Sequence, residues 1–229
     1  MPWRMYPMAI LRAVVSALLI CVVGKAWAHA PYFETRDMSE AAPFVIDWSL
    51  DKSIAIYARF GDAHDVDVVS FSVSPRDLYH RDSVYLHVST LVPACRPYAG
   101  LLPTFAVVGP GQPGLSAPPP ALKLPFTLRP GQGLHLVSNQ HQGPVWYEPF
   151  GGKYYYKQRR ADLDLYYPGD YRIYVWVPAA MTGDYVLEIG TRERFGPGDI
   201  LRSLYLVPQI WLDREISEGC DADHKPVGD

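Results

Sequence analysis

The chain has 229 residues, of which 48% are apolar, 13% aromatic and 20% charged, with a formal net charge of -3. Burial of that much apolar and aromatic side chain offsets the ordering entropy of a fold, which excludes a disordered protein, and the charge excludes a nucleic-acid binder working by bulk attraction. Eighteen glycines and 22 prolines argue against a helical bundle and suit short strands joined by tight turns.

In chain order, residues 1–28 read as a secretory signal: Arg4 and Arg12, an apolar run from Ala13 to Gly24, and a small-x-small site at Ala26-Trp27-Ala28. Cleavage is expected after Ala28. The run is shorter than the ~20 apolar residues of a membrane span, so no stable span is expected once the leader is gone, and the protein is expected in the periplasm or outside the cell. Cleavage takes away Arg4, Arg12, Lys25 and Cys21 but no acid, leaving 18 basic against 24 acidic groups and two cysteines, Cys95 and Cys220. In an oxidising compartment two cysteines invite one disulfide. It would tie the C-terminal tail to the body.

Period-two alternation, the mark of a half-buried strand, predicts strands over 53–60, 66–73, 83–88, 171–177 and 184–190. Weaker signals fall at 43–48, 104–108, 133–137 and 153–157. The last strong pair, separated by six residues that include Pro178 and Gly183, reads as an antiparallel hairpin. Gly109 to Pro120 is too rich in Pro and Gly for a strand and reads as a long loop within one domain, 29–212. Asp199 to Val207 has apolar residues at 200, 201, 204 and 205. This predicts a short helix capped by Asp199, stopped by Pro208 and covering an edge of the core. Residues 213–229 read as a flexible tail. The expected fold is all-β: an antiparallel, jelly-roll-like sandwich with one short C-terminal α-helix behind a signal peptide.

Several motifs carry a family resemblance. Gly61-Asp62 precedes Val66-Asp67-Val68-Val69-Ser70-Phe71-Ser72-Val73, and Pro168-Gly169-Asp170-Tyr171 and Thr182-Gly183-Asp184-Tyr185 open the two late strands. Over roughly residues 50–190 this resembles the bacterial pre-peptidase C-terminal domains, β-sandwiches attached to secreted exoenzymes. Val92-Pro93-Ala94-Cys95 and Tyr147 to Lys153 also resemble a group of uncharacterised secreted bacterial proteins. The resemblance implies an accessory binding or targeting role without catalysis, and calcium binding is known in such domains.

Three constellations point to chemistry. Cleavage after Ala28 would expose His29, whose amine and imidazole together suit Cu(II). A His-Ala start on a secreted sandwich resembles the periplasmic copper carriers, and lytic polysaccharide monooxygenases also begin with histidine. Partner histidines would come from His64, His80, His87, His135 and His141, with His87 expected on the solvent side of its strand. Asp62, Asp65 and Asp67 crowd a turn and suit Ca²⁺ as oxygen ligands, although acids also serve turns by local hydrogen bonding and the spacing misses the EF-hand. Trp146, Tyr147, Lys153, Tyr154 and Tyr156 form an aromatic and basic segment suited to stacking on a glycan or docking an envelope protein. Motifs for a nucleophilic serine, a zinc protease or a phosphate loop are missing. The expected function is non-catalytic binding in the bacterial envelope. The alternatives are a copper protein using His29, for transport or oxidative chemistry, and a structural envelope component.

Overall fold

The computed structural model describes residues 29–111, 113–117, 123–212, 217 and 220. The expected leader, 1–28, lies outside them. Among the described residues eleven strands form two sheets: β1 Ala30–Phe33, β2 Phe44–Ile46, β3 Ile54–Phe60, β4 Val66–Val73, β5 Val84–Pro93, β6 Thr104–Pro110, β7 Gln132–Val137, β8 Val145–Glu148, β9 Lys153–Leu165, β10 Gly169–Trp176 and β11 Gly183–Ile189. Sheet A runs β1-β3-β11-β5-β9-β8 and sheet B runs β2-β4-β10-β6-β7. The sandwich is antiparallel except where β1 joins β3 and β2 joins β4 in parallel. β1 and β8, four residues each, are not among the expected strands.

The expected hairpin does not form. β10 pairs with β4 and β6 in sheet B, whereas β11 pairs with β3 and β5 in sheet A. The connection turns through Ala180 at φ 54° and crosses between the layers. Each strand takes two neighbours in its own sheet, which a shared hairpin would not leave room for in both sheets.

The main core lies between the sheets, with Ile54, Ile56, Phe60, Val69, Phe71, Phe105, Ile173, Tyr185 and Leu187. Phe60 stacks on Tyr185 and Phe71 on Tyr171. Part of each outer face is also covered. Over sheet B, Phe126 stacks on Tyr174 with Leu124 and Leu128 nearby. Over sheet A lies the helix α1, Pro197–Trp211, which buries Ile210 against Tyr57, Tyr155 and Val186. Consequently β11 is buried at all seven positions.

The helix departs from expectation in three ways. Its N-cap is Gly196, with Pro197 at the first position, and Asp199 caps from the third by accepting the Gly196 N–H at 2.8 Å. Pro208 lies inside the last turn rather than ending it. The apolar residues 200, 201, 204 and 205 face solvent instead of the core. The expected loop 109–120 also begins later, because Gly109 and Pro110 complete β6. Gly109 is required there, since a Cβ would sit 2.1 Å from the Tyr171 ring. Leu115 packs into the core and Ser116 bridges Leu134.

Cys95 and Cys220 form the disulfide across a separation of 125 residues, with Cα atoms 5.7 Å apart. Ser217 is buried, so the tail is anchored at these positions. Closing a loop of that length stabilises the fold by about 4–5 kcal/mol in the chain-entropy model. Reduction, or Cys95→Ala with Cys220→Ala, is expected to lower the melting temperature by roughly 10 °C, at about 2–4 °C per kcal/mol for a chain of this size. Calorimetry with and without reductant checks this. An unchanged transition would mean the bond contributes nothing.

Candidate functional site

β4 carries the alternation Val66-Asp67-Val68-Val69-Ser70-Phe71-Ser72-Val73, and Val69, Phe71 and Val73 point into the inter-sheet core. Asp67 is in phase with them, so its carboxylate enters the end of the core and is fully buried. Its Oδ2 accepts the Tyr185 hydroxyl at 2.7 Å, while its Oδ1 meets no N–H or hydroxyl donor. Two acids converge on it from the stretch after β1. Glu34, Asp37 and Asp67 each offer an oxygen within 4.8 Å of the others. Glu34 is fixed by accepting the N–H groups of Met38 at 3.1 Å and Arg59 at 2.9 Å.

Burial, followed by the Glu34 charge, pushes the Asp67 carboxyl up to about 9. Glu34 is itself raised, mainly by burial, against its backbone hydrogen bonds. These acids lie beside an open cavity of about 720 Å³ lined by Glu34, Asp37, Glu40, Arg59, Asp62 and Asp65 among others. A hard, oxygen-seeking cation is the ligand class that such a donor set suits.

Of the three acids expected to hold calcium, only Asp67 belongs to this cluster. Asp62 accepts the His64 N–H at 2.7 Å and Asp65 the Gly61 N–H at 2.5 Å, so both brace the turn between β3 and β4 while lining the cavity. Glu34 and Asp37 were missed because they lie about 30 residues from Asp67 in sequence and meet it only through β1–β3 pairing. One signal was readable: Asp67 alternates with inward apolar residues, an expensive place for an acid.

His29 enters the outer face of sheet A. Its Nδ1 contacts Ser53 Oγ at 2.5 Å and its Nε2 lies 3.3 Å from Glu188. Burial holds its imidazole below the ordinary range against the Glu188 charge, with His87 and Lys157 adding to the depression. His87 is therefore a neighbour, but it is held by Asp162 at 2.7 Å and is only 12% exposed, not on an open solvent face. A copper brace needs the Nδ1 that Ser53 already engages. His64 lines the acidic cavity, His80 packs on Tyr79, and His135 contacts Gly114.

The aromatic segment divides by burial. Tyr147 and Tyr154 form a cross-strand pair, exposed, with ring centroids 5.0 Å apart. Trp146 is half-buried beneath Lys157. Tyr156 and Lys153 do not belong to a binding surface, because Tyr156 points into the main core and Lys153 is 2% exposed.

No family model matches the chain, and neither does any curated protein. Function therefore rests on the chain's own chemistry.

Two outcomes follow from burial. Below the ordinary carboxylate range near pH 4, Asp67 is protonated in both the folded and unfolded chains, and its contribution to stability is then full. As pH rises toward about 9 the unfolded chain ionises first, and that contribution is lost. Asp67→Asn, which still accepts from Tyr185, is expected to raise the melting temperature in chelator at pH 8 and to flatten its fall between pH 5 and 8, by about 2–4 °C per kcal/mol recovered. A variant that melts lower at pH 8 would contradict this. Tyr147→Ala with Tyr154→Ala should change stability by less than about 1 kcal/mol, whereas Tyr156→Ala should cost about 3 kcal/mol. Denaturant titration of the variants checks both.

Proposed function

We propose that this chain is a non-catalytic binding module of the extracytoplasmic space, and that a divalent cation, calcium by its ligand chemistry, completes its site at Glu34, Asp37 and Asp67. The observation that carries this is the convergence of the Glu34 and Asp37 carboxylates on the fully buried Asp67, whose Oδ1 meets no N–H or hydroxyl donor and has only the Glu34 carboxyl to pair with. A buried acceptor without such a donor costs free energy that native structures rarely leave uncompensated. A cation would satisfy it and would neutralise the mutual repulsion of the three acids. The β-sandwich and the Cys95–Cys220 disulfide are consistent with a secreted protein.

The open cavity beside the cluster gives the cation room for an outside ligand, such as a hydroxyl-rich glycan or an acidic side chain of an envelope protein. Glu40, Asp62 and Asp65 keep its wall acidic, while Arg36 and Arg59 supply donors. The resemblance to accessory sandwich domains supports the same reading. The exposed Tyr147–Tyr154 pair is a second contact surface for such a ligand.

Calcium titration of the chelator-treated protein tests the cation directly. Binding in the range about 10⁻⁴ to 10⁻³ M, typical of extracellular modules, is expected by calorimetry, with a rise in melting temperature at saturation. Asp67→Asn should abolish both responses while folding normally. The absence of heat and of any melting shift at about 10 mM calcium, well above that range, would overturn the proposal.

A further inference from the structure

The helix α1 is oriented against the usual rule. Its inward side is largely polar: Asp199 pairs with Lys52 at 2.8 Å, Arg202 lies 4.1 Å over the Tyr32 ring, and only Leu206 and Ile210 are apolar residues buried there. Burial works against the Asp199 charge, yet Lys52, the Gly196 N–H and Arg202 hold its carboxyl below the ordinary value. The outward side is wholly apolar. Ile200, Leu201, Leu204, Tyr205, Trp211 and Leu212 are 51–72% exposed, and the exposed Pro197 and Pro208 fall on the same side. No charged residue interrupts this stripe. A solvent-facing stripe of this kind normally marks an interaction surface.

The spacing identifies the occupant. Six of the stripe positions, 200, 201, 204, 208, 211 and 212, map onto themselves when the helix is reversed about residue 206, whereas Tyr205 falls level with the half-buried Val207 and Pro197 has no counterpart in the helix. Ile200 then lies level with Leu212, Leu201 with Trp211, and Leu204 with Pro208. That is the self-complementarity an isologous two-fold contact requires. The six large side chains at these exposures offer on the order of 800 Å², the share each partner gives to a standard specific interface. Trp211 is fixed for such a contact, with its Nε1 donating to the Phe150 carbonyl at 2.9 Å. An anionic lipid surface fits less well, since the stripe has no cation and the nearby Arg192 and Arg194 pair with Asp51.

We infer that the chain forms a two-fold homodimer in solution through antiparallel packing of α1 on α1 of a second copy. This surface is separate from the acidic site and does not depend on the function proposed for it.

Sedimentation velocity of the protein expressed from the full-length chain, at about 1–100 μM, a span that brackets micromolar affinity, tests the inference. A dimer is expected. Leu201→Asp and Trp211→Lys should each weaken it at least about tenfold, with the circular dichroism spectrum of the folded chain retained. The double variant should recover dimerisation, because the antiparallel register sets position 201 of one copy against 211 of the other. A monomer throughout the range would overturn the inference. So would a dimer unaffected by either single variant, or a double variant no tighter than the singles. A monomer that instead binds zwitterionic lipid vesicles through Leu201 and Trp211 would reassign the stripe to a membrane.

Discussion

Burial of β11 on both of its faces is the constraint around which the rest is arranged. β11 has no exposed residue. One face packs on sheet B through Tyr185, Leu187 and Ile189, and the other lies under the α1 side of the molecule through Val186. A two-layer sandwich normally leaves its outer faces to water. Here part of each outer face is apolar, Tyr57, Tyr155 and Val186 on sheet A and Val68, Ala106 and Tyr174 on sheet B, so the chain must supply covers. Residues around Leu124, Phe126 and Leu128 serve sheet B, and α1 with the turn after β8 serves sheet A. Gly151 shows how close that cover lies: a Cβ would meet Glu148 Oε2 at 2.7 Å and Ile210 at 3.1 Å.

The covers also place polar groups where water cannot reach them. His29, Ser53, Ser89 and Glu188 form a connected network on the outer face of sheet A. Glu148 is capped by the Phe150 and Gly151 N–H groups, yet burial still raises its carboxyl above the ordinary range. These groups have partners. Asp67 Oδ1 differs in that it meets no N–H or hydroxyl donor and faces other carboxylates instead.

The two surfaces assigned here lie on different parts of the sandwich. The acidic cluster sits beside β1, β3 and β4, on the inner side of sheet B. The apolar stripe lies on the far side of α1, which docks on β1 over sheet A. The dimer inferred through α1 would leave the acidic cavities of both copies open and carry two copies of the proposed cation site on one particle. Two linked sites would raise avidity for any repetitive ligand.

The sequence by itself determined the strands whose alternation is strong. Ile54–Phe60, Val66–Val73 and Gly169–Trp176 lie where period two puts them, because one side of each must be apolar to enter a core. It also determined the disulfide partners, since the chain from His29 onward has only Cys95 and Cys220. Tertiary structure decided what alternation does not encode. It sent β10 and β11 to different sheets, because sheet membership depends on which neighbours complete each ladder and not on the local pattern. It turned the apolar side of α1 outward, because Asp199 and Arg202 found Lys52 and Tyr32 on the body, whereas periodicity reports only that a helix has two unlike sides. And it brought Glu34 and Asp37 to Asp67 through strand pairing over about 30 residues, which is why the cluster, unlike Asp67 itself, left no local trace in the sequence.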